Sequence, residues 1–328
     1  MFILLCSLTL FLFIGVPIAY SLGLSTTMYF LIFNKDLLQV IPQMLFAGMD
    51  SYTLIALPLF ILMGQLMNES HITSKLIDYC LIFVGRLRGG LGLVNVISSM
   101  LFGGISGSSV SDTASIGSIL IPEMKKRGYP ENFAAGITVA SSTMGMIIPP
   151  SIPMVLYAVT AQESVGRLFL GGVFPGILVG LLQLLITSYL SNKYRYPRES
   201  KPVSMRLIFE MTFKYSYILL MPFFVVGSVI FGIATPTESA ALGVFYALIL
   251  GSLILKTLTP GKIFSALKTS SLTSAKIMII IAFSKIFIWV LAFERVPDKL
   301  AEIIQGLGLQ PNSMLFLFVF IILITGTF

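Results

Sequence analysis

Residues 100–116 read MLFGGISGSSVSDTASI. Two glycines close an apolar approach, serines follow at 106, 108, 109 and 111, and Asp112 precedes a run that turns apolar again at Ile116. A simple turn needs one or two small residues, not this many hydroxyls around a carboxylate. The chain on either side is oily. Of 328 residues, 56% are hydrophobic and 11% charged, and the mean hydropathy is +0.96. That leaves too little polar surface for a water-soluble protein of this length. The stretch therefore belongs to an integral membrane protein, where polar backbone is tolerated at depth only when it is buried in protein or lines a wet cavity.

Apolar runs suited to helical crossings of about 30 Å lie near residues 2–33, 52–67, 136–157, 168–190, 215–233, 240–255, 277–293 and 313–325. None alternates with a period of two, so the expected fold is an all-α polytopic bundle and not a barrel. The first run has no basic start and no small-residue cleavage site, so it reads as one retained span and not a signal peptide. Cys6 and Cys80 both sit in apolar surroundings and read as buried thiols, neither a disulfide framework nor a metal site. The net charge of +7 points to cytoplasmic loops, which collect Lys and Arg, and not to nucleic acid. No G-x-x-x-x-G-K-[ST] loop is present, so any pumping draws on an ion gradient and not on ATP.

The loop charges orient the chain. Arg86 and Arg88 precede the opening stretch and Lys125, Lys126 and Arg127 follow it. Only residues 91–124 lie between, and glycines, serines and Asp112 interrupt them at the middle. Flanks of one charge around a polar midpoint predict a re-entrant helical hairpin entering from the cytoplasm. The next run breaks at ASSTMGMIIPPSIPM, residues 140–154. Pro149 and Pro150 remove two helix donors and push Ile148 away from helical angles, so the helix opens there and frees carbonyls near residues 145–148. Two interrupted elements at mid-depth point to the substrate and ion site of a secondary transporter.

Carried forward, the same reading puts 161–167 outside and the basic linker 193–214 inside. Lys256, Lys262 and Lys268 then fall inside, and the acidic stretch around Glu294, Asp298 and Glu302 outside. A faint echo joins ITSKLIDYCLIFVGRLRGG (72–90) to RVPDKLAEIIQGLG (295–308), each ahead of an apolar segment with glycine near its end. Starting from opposite sides, the two copies form the expected inverted repeat. The first repeat is 1–192, with scaffold helices to 90, hairpin and broken helix over 91–163 and a further helix over 164–192. The second is 215–328, cut short at the start of its hairpin. Because the chain stops inside an apolar run, it reads as part of a longer protein.

Asp112 is costly at mid-bilayer, by about 2.5–3.5 kcal/mol even on lenient insertion scales, so it needs a partner or water. It and Ser111 read as N-caps of the second hairpin helix, a role compatible with binding because a helix N-terminus turns N–H groups toward an anion. Ser and Thr hydroxyls with freed carbonyls supply the hard oxygens that a small cation prefers. Close helix packing explains Gly103, Gly104 and Gly107 but not Asp112. Gly104-Ile105-Ser106-Gly107 also matches the short motif around the nucleophile of intramembrane serine proteases. Such an enzyme needs a base, and the one histidine, His71, reads as a solvated loop residue. Near Thr235, Pro236 and Glu238, helix capping accounts for the polar residues.

Together, GGISGSSVSDTASIGSILIPEM (103–124), STMGMIIPPSIPMVLYA (142–158) and GIATPTESAAL (232–242) resemble the large membrane subunit of tripartite ATP-independent periplasmic (TRAP) transporters, in order and spacing across nearly the whole chain. The resemblance implies a sodium-driven elevator-type carrier with two opposed hairpins. It also implies a small membrane subunit, a periplasmic substrate-binding protein and an organic-acid substrate in a bacterial inner membrane. By similarity, Ser106, Ser108 and Asp112 lie beside the substrate. Ser106 with the backbone around Gly103, Gly145, Ile148 and Pro149 holds Na⁺, and Gly326 and Thr327 begin the second hairpin motif and its sodium site. A chain ending at Phe328 is not expected to transport by itself. The wording of 141–154 is most similar to the sialic-acid members, with C4-dicarboxylate members sharing the same motifs.

Overall fold

A computed structural model describes residues 2–198, 205–306, 308 and 310–326. Among these no strand forms. Among the described residues five helices are long and apolar enough to cross a membrane: Tyr52–Glu69, Val165–Lys193, Phe209–Ile230, Pro236–Ile254 and Pro260–Phe293. The chain forms two compact units, residues 1–50 with 277–328, and residues 51–276.

In the first unit, α1 (Phe2–Phe13) and α2 (Ile18–Phe33) pack on each other. The sequence reads 2–33 as a single span, and the structure corrects this. Gly15 takes a left-handed φ of +88° and Pro17, extended, precedes the first turn of α2, so the helix cannot continue through 14–17. Leu4 then meets Tyr29 and Phe30 in a core with Ile286 and Val290. Those last two come from α13 (Pro260–Phe293), which at 34 residues is about 51 Å long and carries Lys262, Lys268 and Lys276 on the part before the first unit. Cys6, expected to be buried, is exposed, whereas Cys80 is buried. α3 (Val40–Met49), α14 (Val296–Gly306) and α15 (Pro311–Thr325) complete this unit.

The second unit is built around α6 (Gly90–Ser106), which packs against α5 (Ile72–Val84), α7 (Ser109–Lys126), α8 (Glu131–Ser142) and α10 (Val165–Lys193). α4 (Ala56–Glu69) lies against α12 (Pro236–Ile249), and α11 (Met205–Ile230) runs beside α12, α5 and α10. The run 136–157 is indeed broken. It is α8, a tight turn over Thr143–Met146, and α9 (Ile152–Ala161).

α10 shows how small residues set the packing. Gly172, Gly176 and Gly180 recur every four residues and so share one face. A Cβ at Gly172 would lie 2.7 Å from the Ile147 carbonyl oxygen, and one at Gly176 would lie 2.6 Å from Ile148 Cγ1. The missing side chains let the break in 143–151 press directly onto α10. Elsewhere on α10, Leu181 and Leu185 are 51% and 67% exposed, the pattern of a lipid-facing surface.

Of the linker 193–214, residues 199–204 lie outside the described residues. Its first part folds back on the hairpin base: Gly89 N–H donates to the Pro197 carbonyl at 3.1 Å and Arg198 Nε to the Arg86 carbonyl at 2.9 Å. Tyr129 Oη reaches the Pro197 carbonyl at 3.3 Å. The basic clusters at 86–88, 125–127 and 193–198 therefore share one face, as the loop charges require.

Candidate functional site at the hairpin tip

α6 ends at Ser106 and α7 begins at Ser109, so the hairpin turns on two residues. Gly107 is left-handed with φ +63°, and its N–H closes on the Gly103 carbonyl at 3.2 Å. A side chain there would be strained, and its Cβ would lie 2.8 Å from the Pro150 carbonyl oxygen. Ser108 is extended and its hydroxyl accepts the Ser111 N–H at 3.4 Å. Ser108, and not Ser111 or Asp112, is thus the N-cap. The turn is shorter than the serine run implies, so α7 starts three to four residues earlier than the sequence reading places it.

That shift frees the carboxylate. Asp112 sits in the first turn of α7, fully buried, and Ser106, 4% exposed, donates its hydroxyl to Asp112 Oδ1. Ser106 Oγ also accepts the Ser108 N–H at 3.2 Å. Asp112 Oδ2 is buried without a hydrogen-bond partner, and it lies against Gly145, where any Cβ would collide with it. A Cβ on Gly103 would in turn lie 2.9 Å from Gly145 Cα. These glycines bring the carboxylate onto bare backbone.

The broken helix completes the assembly. Ile147 and Ile148 N–H both bond the Met144 carbonyl, at 3.0 and 2.8 Å. Ser151 caps α9 and donates to the Met146 carbonyl at 2.6 Å. The Pro149–Pro150 peptide is cis. Ile152 N–H donates to the Gly107 carbonyl at 3.2 Å, and a Cβ on Gly104 would lie 3.3 Å from the Pro149 carbonyl oxygen. Gly103, Ser106, Ser108, Asp112, Gly145, Ile148 and Pro149 thus converge. Gly326 is the C-cap of α15, in the first unit, and Thr327 lies outside the described residues.

Sequence reasoning missed the polar seam that holds α6 to α8. Asn95 Nδ2 donates to Thr138 Oγ1 at 2.7 Å, Ser141 Oγ to Asn95 Oδ1 at 3.0 Å, and Ser99 Oγ to Ser141 Oγ at 2.9 Å, all buried. Asn95, a lone amide in an apolar run, was the available signal. Thr113 Oγ1 adds a 2.6 Å bond to Ser142 Oγ. Elsewhere, Thr235 and Glu238 form a capping box, as capping alone predicts. His71 is exposed at the α4–α5 turn and its Nε2 meets Lys262 Nζ at 3.1 Å. The side chain of Ser106 donates to a carboxylate and not to an imidazole.

Residues 5–328 match the family described as the DctM component of tripartite ATP-independent periplasmic transporters. The chain belongs to this family. A C4-dicarboxylate large permease protein, DctM of Pseudomonas aeruginosa, is 37% identical over 94% of the chain and 72% of its own length. The sialic acid large permease protein SiaM of Vibrio cholerae is 34% identical over 97% of the chain and 74% of its own length. The isethionate permease protein DctMQ of Oleidesulfovibrio alaskensis is also 34% identical over 97% of the chain, which spans half of that protein. In this DctM-family chain, the tip of 106–112 and the break of 145–152 are therefore features of a multi-pass transporter permease.

Proposed function

We propose that the chain is the large subunit of a sodium-coupled importer for an organic acid in a bacterial inner membrane. It would work with a small membrane subunit and a periplasmic substrate-binding protein. One observation carries the proposal: Asp112 Oδ2 is buried and unpartnered between Ser106 and the bare backbone of Gly145. An isolated buried carboxylate is costly, and a hard monovalent cation beside it removes that cost. The donor set fits sodium, since it offers the Ser106 hydroxyl, the Asp112 carboxylate and carbonyls around Gly103, Gly145, Ile148 and Pro149, with no sulfur or imidazole.

When bound, sodium supplies the positive charge that the tip lacks. The chain's own residues do the rest. Ser106 orients the carboxylate, and Gly107 lets the tip turn tightly enough to seat against Pro150 and Ile152. Ser108 and the first N–H groups of α7 receive the acid group of the substrate. Net import requires this assembly to be exposed to each side in turn, and we infer a re-entrant hairpin carried by an elevator-type movement within an inverted repeat. Sialic acid is favoured by the wording of 141–154, and a C4-dicarboxylate is the alternative, with relatives named for each acid at 34% and 37% identity.

Uptake of labelled sialic acid and succinate into liposomes holding chain, small subunit and binding protein tests the reading. Accumulation of one acid only under an inward sodium gradient is expected. Accumulation that ignores sodium would sink the coupling.

A further inference from the structure

A cavity lies in the larger unit, its α7 wall beginning at Ala114, two residues beyond Asp112. It has a volume of about 320 Å³ and is lined by Asn68, His71, Thr73 and Ser74 from the α4–α5 turn and by Ser115 and Ser118 from α7. That volume falls at the small end of ligand pockets, about 300–1,000 Å³. No Asp or Glu is among its lining residues. Ser115 is 7% exposed and its Oγ has no hydrogen-bond partner although it borders the cavity, so a buried hydroxyl there awaits a ligand or water.

Charge reaches the cavity through His71. Lys262 Nζ lies 3.1 Å from His71 Nε2 and donates also to the Glu69 and Thr257 carbonyls, at 3.3 and 3.1 Å. Three acceptors fix the ammonium in place, and with Nε2 accepting from it, the imidazole carries its proton on Nδ1 as a donor. Thr73 Oγ1 donates to Asn68 Oδ1 at 3.3 Å, which fixes the Asn68 carbonyl oxygen on the helix side and leaves the amide nitrogen as the donor. The wall thus keeps the Asn68 amide and the Ser115 hydroxyl as donors, while Ser118 Oγ, which donates to the Ser115 carbonyl at 2.9 Å, is left to accept, and one held cation lies behind the wall. Ser118 lies six residues beyond Asp112, about 9 Å along α7, on the way to Lys125 and Arg127.

We propose that this cavity is a second binding site for the hydroxylated carboxylic acid cargo, placed between the hairpin tip and the basic face of the protein. Hydroxyls of Ser115 and Ser118 receive the polyol part and the His71–Lys262 pair attracts the carboxylate. The site rests on the organic-acid reading, but its test reads protection of a thiol and not uptake. In a Cys6→Ser background, with Cys80 left because it is buried, Ser118→Cys is labelled by a sulfonate-bearing methanethiosulfonate in inside-out vesicles. Ser74→Cys serves as a second reporter should the first fold poorly.

Sialic acid, which carries the polyol that succinate lacks, is expected to slow labelling at least threefold, and to do so equally when Asp112→Asn is added. Lys262→Gln should weaken that protection at least threefold, and Lys262→Arg should keep it. Unchanged labelling with sialic acid overturns the site, as does protection that vanishes with Asp112→Asn or is matched by succinate or inorganic phosphate. Protection without sodium-driven uptake overturns the transport reading alone.

Discussion

Ser106 and Asp112 close the hairpin on itself: the hydroxyl at the end of α6 donates to one carboxylate oxygen in the first turn of α7. The other oxygen is left buried and unpartnered. Substitution of Asp112 therefore separates binding from folding.

Asp112→Asn keeps volume and the bond to Ser106 while removing the charge. Sodium-dependent uptake should fall more than tenfold with little change in thermal midpoint. Ser106→Ala strips the carboxylate of its donor, at a cost of about 1–3 kcal/mol, and should lower both. Near wild-type uptake by Asp112→Asn would remove this carboxylate from the site.

At Gly145 the effect is steric. Gly145→Ala places a methyl against Asp112, so uptake and melting temperature should both drop. Gly136→Ala, in the same broken segment but with open space around it, is the control and should behave as wild type. Equal behaviour of the two would mean that the close approach of Gly145 to the carboxylate is not needed.

The seam between α6 and α8 predicts a stability effect away from the binding residues. Ser141→Ala breaks bonds to Asn95 and Ser99 and leaves buried polar atoms unsatisfied, for about 1–3 kcal/mol. Solubilised protein should unfold at lower denaturant, and acid binding to the folded fraction should be unchanged.

Capping offers the opposite contrast. Thr235→Ala removes the N-cap of α12, worth about 1 kcal/mol. A small fall in thermal midpoint with an unaltered apparent KM for uptake is the expected result. A large KM change would give the 235–238 turn a role in binding.

The sequence by itself determined the membrane class and the interrupted elements. Each depends on composition and local geometry: hydrocarbon selects apolar runs, and adjacent prolines end a helix wherever they fall. Glu238 was legible for the same reason, since a capping box is made within four residues. The tertiary structure alone decided that Asp112 faces Gly145. It alone found that Asn95 reaches across to Thr138 and Ser141. These depend on which backbones approach one another, and a glycine that permits close packing looks the same in sequence as one that merely ends a turn. The unpaired oxygen of Asp112 is the clearest case, because an unmet hydrogen bond exists only once every neighbour has been placed.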